Sequence, residues 1–260
     1  MTPFQALKGF RKIDDILFLM DKVACSSFSN ELADLRKDPD ENGLKRFFTA
    51  LMQMDKNRQD LVVGEAIRSA EKWAHEDQVF NWMVELNKGC PGDIGIFSPV
   101  ILNLLELNPG EAICLSAGEP HTYLHGVGIE LMANSDNVIR GGLTAKHVDV
   151  PELLKIVDFK TDPTQILTPV PQENCEDCYS SPTQEFMLSV ISINREEPFI
   201  SLKDRSVEIL MCIQGEAVIK DSGEKEPLLL SRGMSVIVPA LALKYGIEWT
   251  ATIYNASVPI

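Results

Sequence analysis

The apolar positions change their period along the chain, and each change marks a different kind of structure. From about Ile13 to Leu86 the spacing is helical. Ile13, Ile16, Leu17 and Met20 follow i, i+3, i+4, i+7, as do Leu44, Phe47, Phe48 and Leu51, and Val79, Trp82, Met83 and Leu86 repeat it. Asp38-Pro39 and Asn42-Gly43 separate the first helices, and the Gly89–Gly95 stretch ends the block. From Ile96 onward the texture is that of strands: Val100, Ile101, Leu102, Leu104 and Leu105, then a Pro109-Gly110 turn. A second strand is expected to run into Pro120-His121 and a third to cover Gly126 to Met132. A polar bend of Asn134, Ser135, Asp136 and Asn137 then delivers Arg140 beside Gly141 and Gly142.

Asp149-Val150-Pro151-Glu152 predicts a cap and first turn for a short helix through Ile156, with proline at a tolerated position. Thr161 to Gln184 carries four prolines and reads as a long connection. Phe186–Ile193, Val207–Ile213, Glu216–Lys220, Pro227–Leu230 and Ser235–Val238 read as strands parted by turns such as Asp221-Ser-Gly223.

Two of these β stretches align without gaps. Leu107-Asn-Pro-Gly-Glu-Ala-Ile-Cys-Leu-Ser-Ala117 falls on Leu230-Ser-Arg-Gly-Met-Ser-Val-Ile-Val-Pro-Ala240, with leucine, glycine three later and alanine in register. One β unit used twice points to duplicated barrels of the jelly-roll or cupin kind. The copies part company at their ends: the first continues into Pro120-His121, the second into Leu241-Ala-Leu243, which has no histidine.

A chain of 260 residues holds one large domain or two ordinary ones, and 45% hydrophobic residues are ordinary for a globular protein. A net charge of -14 argues against a nucleic-acid or anionic-membrane surface, since both need a clustered positive field. One phosphate needs only local donors, such as Arg140 and Lys146. No apolar run approaches the ~20 residues of a membrane span, and MTPFQALKGFRK lacks the apolar core of a signal peptide. Six cysteines do not suggest a disulfide scaffold, so a reduced, cytoplasmic setting is the simplest reading.

His121 reads either as a structural histidine at a strand end or as a metal ligand at the rim of a repeated β unit. His125 shares a strand face with it through His121-x-Tyr123-x-His125. Residues four apart on a strand are ~13 Å apart, too far for one zinc with bonds of ~2 Å. His125 is therefore a pocket wall or has no site role, while Tyr123 can donate to a substrate oxygen. Glu130, opposite Val127, Ile129 and Leu131 on the expected third strand, is either paired with Arg140 or a metal, or faces solvent. His147-Val-Asp149 resembles a short metal-binding pattern, yet Asp149 already has a capping role, and Cys175-x-x-Cys178 has no second pair and reads as two incidental thiols. His75-Glu76 lacks the second histidine of a zinc-protease helix, because Val79 stands four residues on.

The central stretch resembles type I phosphomannose isomerases. The matching residues are Leu107-Asn-Pro-Gly-Glu-Ala, Pro120-His121-x-Tyr123, and Glu130-x-Met132-Ala-Asn-Ser-Asp-Asn-Val-x-Arg140-x-Gly-Leu-Thr-x-Lys146. Phe97-Ser-Pro and Thr2-Pro-Phe-x-Ala-x-x-Gly-Phe-Arg11 match as well. The resemblance implies a mixed, mainly β fold of duplicated cupin/jelly-roll barrels with an α-helical insertion domain and an incomplete first barrel. Expected segments are 1–11 as a remnant of the first barrel, 12–91 helical, 92–160 the rest of the first barrel, 161–184 a connection and 185–260 a second, metal-free barrel.

It also implies mannose 6-phosphate/fructose 6-phosphate isomerisation with one zinc ion. His121 would be a zinc ligand, Arg140 the active-site arginine, Lys146 a phosphate contact, Tyr123 a substrate contact, and Glu130 a residue orienting a ligand or Arg140. The family's other zinc ligands, a Gln-x-His pair and a glutamate, lie upstream of the segment matching Thr2 to Arg11. Three of four ligands are thus expected to be absent from this chain, which would then be incomplete and weakly active or inactive alone. The general base stays open between Glu130, Lys146 and residues outside the chain. Expected partners are a small sugar phosphate, with no nucleic acid and no membrane, and self-association through open barrel edges. The rival reading is a non-catalytic sugar-phosphate-binding or regulatory cupin without its metal.

Overall fold

The structure, a computed structural model, describes residues 3–135, 137–172, 174–221, 223, 226–242 and 244–260. Thr2 of the N-terminal motif, Asp136 of the polar bend, Ser222 of the turn and Leu243 at the end of the second repeat lie outside the described residues. The chain forms two compact units. One holds residues 1–109, 115–127 and 136–165, the other residues 110–114, 128–135 and 166–260.

The first unit opens with strand β1 (Phe4–Phe10) and then inserts helices α1 (Ile13–Val23), α2 (Ser29–Lys37), α3 (Glu41–Met52), α4 (Lys56–Trp73) and α5 (Gln78–Gly89). Aspartates start three of them. Asp40, Asp55 and Asp77 each accept a hydrogen bond from a first-turn backbone N–H, those of Gly43, Arg58 and Val79. The buried face of α3 is Leu44, Phe47, Phe48 and Leu51, the set its spacing picks out. After α6 (Ser98–Ile101) the chain enters β2 (Leu102–Leu107), and β3 (His121–His125) completes a sheet of order β2-β1-β3. The helices and sheet share one core, in which Phe10 stacks on Phe159 at 5.2 Å and meets Phe48 edge-on at 5.5 Å. Fully burying each such ring contributes about 1.5–3 kcal/mol. Helix α7 (Val150–Ile156) follows the expected cap, with Asp149 accepting from Glu152 N at 3.0 Å.

The second unit is an antiparallel sheet. Its strands are β4 (Val170–Pro171), β5 (Glu176–Cys178), β6 (Met187–Ile193), β7 (Phe199–Ile200), β8 (Glu208–Asp221), β9 (Leu228–Ser231), β10 (Ser235–Val238) and β11 (Tyr245–Ser257). The order is β10-β8-β11-β6-β5-β4, with β7 also on β11 and β9 also on β8. Ile191, Leu210, Cys212, Ile247 and Ile253 fill its core.

Several expectations change. Residues 96–101 are helical rather than extended, because Ser98-Pro99 starts a turn of helix with proline in its first positions. The two expected runs 207–213 and 216–220 are one strand, since a bulge and a positive φ of 77° at Gly215 let the ladder continue through the break. The 161–184 stretch contributes β4 and β5 to the second sheet. Between Glu111 and Pro120 there is no strand, only a bridge from Ala112 to Leu167. Gly126–Met132 is not a strand either. Gly126 has φ +105°, and a Cβ there would sit 2.9 Å from Phe4 Cα and Pro3 O, so the chain turns out of the ladder at a point only glycine fits.

Candidate active site

The site residues of the first unit are placed by β1. A bulge between Lys8 and Phe10 is filled by the Asn103 side chain, whose Nδ2 donates to the carbonyls of Lys8, Gly9 and Phe10 at 3.0–3.2 Å. Gly9 N in turn donates to Pro120 O at 2.9 Å, which fixes where β3 begins. The register then sets Lys8 opposite His121 and Ala6 opposite Tyr123. Directly opposed residues share a face, so Lys8, His121 and Tyr123 project to one side. His121, Tyr123 and His125 form the exposed face of β3, as the alternation predicts.

His121 is exposed, and its Nδ1 donates to the Glu119 carbonyl oxygen at 3.0 Å. A carbonyl can only accept, so that bond puts the proton on Nδ1 and leaves Nε2 with its lone pair. This backbone contact orients a metal-binding imidazole in the usual way. The His121 and Tyr123 rings lie 5.9 Å apart, and Phe4 packs on Tyr123 at 5.4 Å.

Sequence patterning did not nominate Lys8 or Glu119. Lys8 is only 7% exposed, and its Nζ lies 3.5 Å from Glu119 Oε1, while Glu119 Oε2 accepts from Ser116 N at 3.0 Å. A lysine is rarely buried unless paired. Its pairing with the residue two before His121 gives the strand start a cation and an anion. A lysine inside the apolar alternation Ala6-Leu7-Lys8-Gly9-Phe10 was the available signal.

Arg140 is exposed on a segment held at both sides. Ile139 packs on the first unit's core, and Leu143, with φ +53°, seats its side chain against Gly95. Lys146 is exposed in the following turn, where its backbone N–H donates to Thr144 Oγ1 at 3.2 Å. No hydrogen bond or ion pair joins Arg140 or Lys146 to His121 among the described residues.

The expected third strand is absent, and Glu130 is exposed on an irregular segment of the second unit, Gly128–Ser135. Once Gly126 ends the ladder, the apolar neighbours that were to form its strand are open as well: Val127 is 90% exposed.

Among the described residues, no group of three or more His, Cys, Asp or Glu is placed to hold a metal ion. These residues supply one oriented imidazole.

A helical bundle between two strands of one β unit, followed by a second antiparallel β unit, is the layout of a cupin-type protein with a helical insertion. Residues 19–102 match the family described as phosphomannose isomerase type I, helical insertion domain. The mannose-6-phosphate isomerase of Salmonella typhimurium is 35% identical over 244 residues, covering 92% of this chain and 60% of that protein. The Homo sapiens mannose-6-phosphate isomerase is 31% identical over 259 residues, with 92% and 61% covered. A crystal structure of the Salmonella typhimurium mannose 6-phosphate isomerase, bound to substrate (f6p) and a zinc atom, superposes with a TM-score of 0.87. It is 31% identical and covers all of this chain and 64% of that one. Residues 19–102 thus carry the helical insertion domain of that family, and the chain spans about three-fifths of the length of the curated relatives it matches.

Proposed function

We propose that this chain carries part of the active site of a mannose-6-phosphate isomerase, interconverting mannose 6-phosphate and fructose 6-phosphate through an enediol. The observation that carries the reading is the His121 imidazole on the exposed face of β3, with Nδ1 tied to Glu119 O and Nε2 left open. A relative's structure that holds fructose 6-phosphate and zinc supports it.

Aldose–ketose isomerisation moves a proton between C2 and C1, and negative charge develops on the substrate oxygens as it leaves. Arg140, always charged and rigidly forked, is suited to that enediolate, and Lys146 is suited to the phosphate as a point charge. Tyr123 would donate its hydroxyl to a sugar oxygen. The paired Lys8–Glu119 beside His121 would hold the start of β3 in place and add a fixed local field.

By resemblance His121 is one zinc ligand, and the others are a Gln-x-His pair and a glutamate that the described residues do not place around it. A second reading is a sugar-phosphate-binding cupin without catalysis.

A coupled assay of fructose 6-phosphate/mannose 6-phosphate interconversion, run with added zinc, separates the two. Zinc-dependent turnover that His121→Ala abolishes supports the isomerase. Turnover that survives His121→Ala removes the assigned ligand, and sugar-phosphate binding without turnover selects the second reading.

A further inference from the structure

One end of the second unit's interior is polar, although the rest of that interior is aliphatic. Glu208 on β8, Asn255 and Ser257 on β11, and Ser189 on β6 all point inward, and Glu208, Asn255 and Ser189 are 6%, 2% and 0% exposed. Their contacts form a chain. Ser189 Oγ donates to Glu176 Oε1 at 2.5 Å, and Asn255 Nδ2 donates both to that oxygen at 3.3 Å and to Glu208 Oε1 at 3.4 Å. Glu208 Oε2 accepts from Tyr245 Oη at 3.0 Å and pairs with Arg205 Nη1 at 3.1 Å. Arg205 also lies over the Tyr245 ring, 5.0 Å from its centroid.

Two carboxylates and one guanidinium leave this end one positive charge short. Two buried oxygens of this end are also short of a partner among the described residues: Asn255 Oδ1 and Ser257 Oγ. Ser257 stands directly opposite Glu208 in the β8–β11 ladder. A buried acceptor without a donor is costly, and a buried charge without a counter-charge costs more.

We propose that the Glu176/Glu208 pair, bridged by Asn255, is a proton-binding site that takes up one proton as the pH falls from neutral and tightens the second unit when it does so. Protonation of one carboxyl removes the uncompensated negative charge and turns that carboxyl into an O–H donor inside the network. Among the described residues, the titratable and charged groups facing the pair are Cys178 on β5, Arg205 just before β8, and Tyr245 on β11, beside Glu176 on β5 and Glu208 at the start of β8 themselves. Burial raises the Glu208 carboxyl above its ordinary range, against the Tyr245, Arg205 and Asn255 contacts that lower it, with Glu176 adding to the rise. Burial also raises Tyr245 and Cys178, so both stay neutral through this range. A carboxyl raised by folding stabilises fully below its unfolded value, and that contribution is lost as pH rises through the folded value.

The test is carboxyl-carbon NMR of the full chain labelled in glutamate, with urea unfolding measured in parallel. One resonance, absent in Glu208→Gln, should titrate above the ordinary glutamate range of about 4.3. Glu176→Gln should move it downward. The wild-type urea midpoint should fall as pH rises above the ordinary glutamate range, with a shallower fall in Glu208→Gln. A Glu208 resonance within the ordinary range overturns the proposal. So does a shift of that resonance on adding magnesium or calcium at fixed pH, which would make the cluster a cation site instead. Asn255→Ala, which keeps both acids, serves if Glu208→Gln does not fold; it should weaken the effect of Glu176→Gln on Glu208.

Discussion

The two copies of the repeated β segment share their letters and their turn but not their surroundings. Gly110 and Gly233 occupy the same place in the repeat and adopt the same left-handed backbone, φ +92° and +86°. After that turn the second copy becomes β10, paired with β8 from Ser235–Met211 to Val238–Glu208. The first copy makes one bridge, Ala112 to Leu167, and then leaves strand geometry until His121. A turn is a local property and follows from the local sequence. A strand also needs a neighbour whose N–H and C=O groups answer its own. The β unit that keeps its ladder has no histidine at its end, while the one with the short ladder delivers His121 to an exposed face.

That comparison can be pressed hardest through the neighbour. Leu210 on β8 is fully buried and stands opposite Val236. Leu210→Ala should cost about 2–5 kcal/mol, read as a lower urea midpoint for the second unit. An effect below about 1 kcal/mol would mean that β8 is not what holds the second copy in place.

The turn glycines come next. Nothing lies within 4 Å of a Cβ built on either, so replacement by valine tests backbone conformation alone. Each should cost about 1–2 kcal/mol. Gly233→Val should cost the more, because its N–H also donates to Cys212 O at 2.8 Å. Equal stability of wild type and Gly233→Val would contradict the left-handed turn.

Hydrogen exchange gives a comparison without mutation. Amides of β10 that bond into the ladder should exchange slowly, and those of residues 113–115 close to the unprotected rate. Comparable protection in both copies would mean that the first copy has a strand partner the structure does not display.

The helices were legible because their caps and their 3.6-residue spacing are local: Asp40, Asp55 and Asp77 sit where the apolar runs begin. The longest omission is β11, which alternates cleanly through Tyr245, Ile247, Ala251 and Ile253. Its interruption at Glu248-Trp249-Thr250, with Trp249 at φ +87°, hides the period. Glu130 was misplaced for the opposite reason, since Gly128–Met132 alternates like a strand but Gly126 has already taken the chain out of the sheet. Of the site, His121 and Tyr123 could be read from the turn before them. Lys8 could not be tied to them, because the contact spans more than a hundred residues and depends on a bulge.

The smallest expected change in stability is at the residue assigned the largest role in chemistry. His121 is exposed, and its one hydrogen bond among the described residues is to a backbone oxygen. His121→Ala should therefore shift unfolding by no more than about 0.5 kcal/mol, so any loss of sugar-phosphate chemistry in that variant cannot be laid to misfolding.

The account turns on whether His121 and Arg140 serve one substrate. Titrating the full chain with fructose 6-phosphate, in the presence of zinc, while following the His121 ring and Arg140 guanidinium NMR signals tests this directly. The predicted result is that both signals move along one saturation curve. Movement of either signal alone, or of neither while the sugar phosphate binds elsewhere, would contradict it.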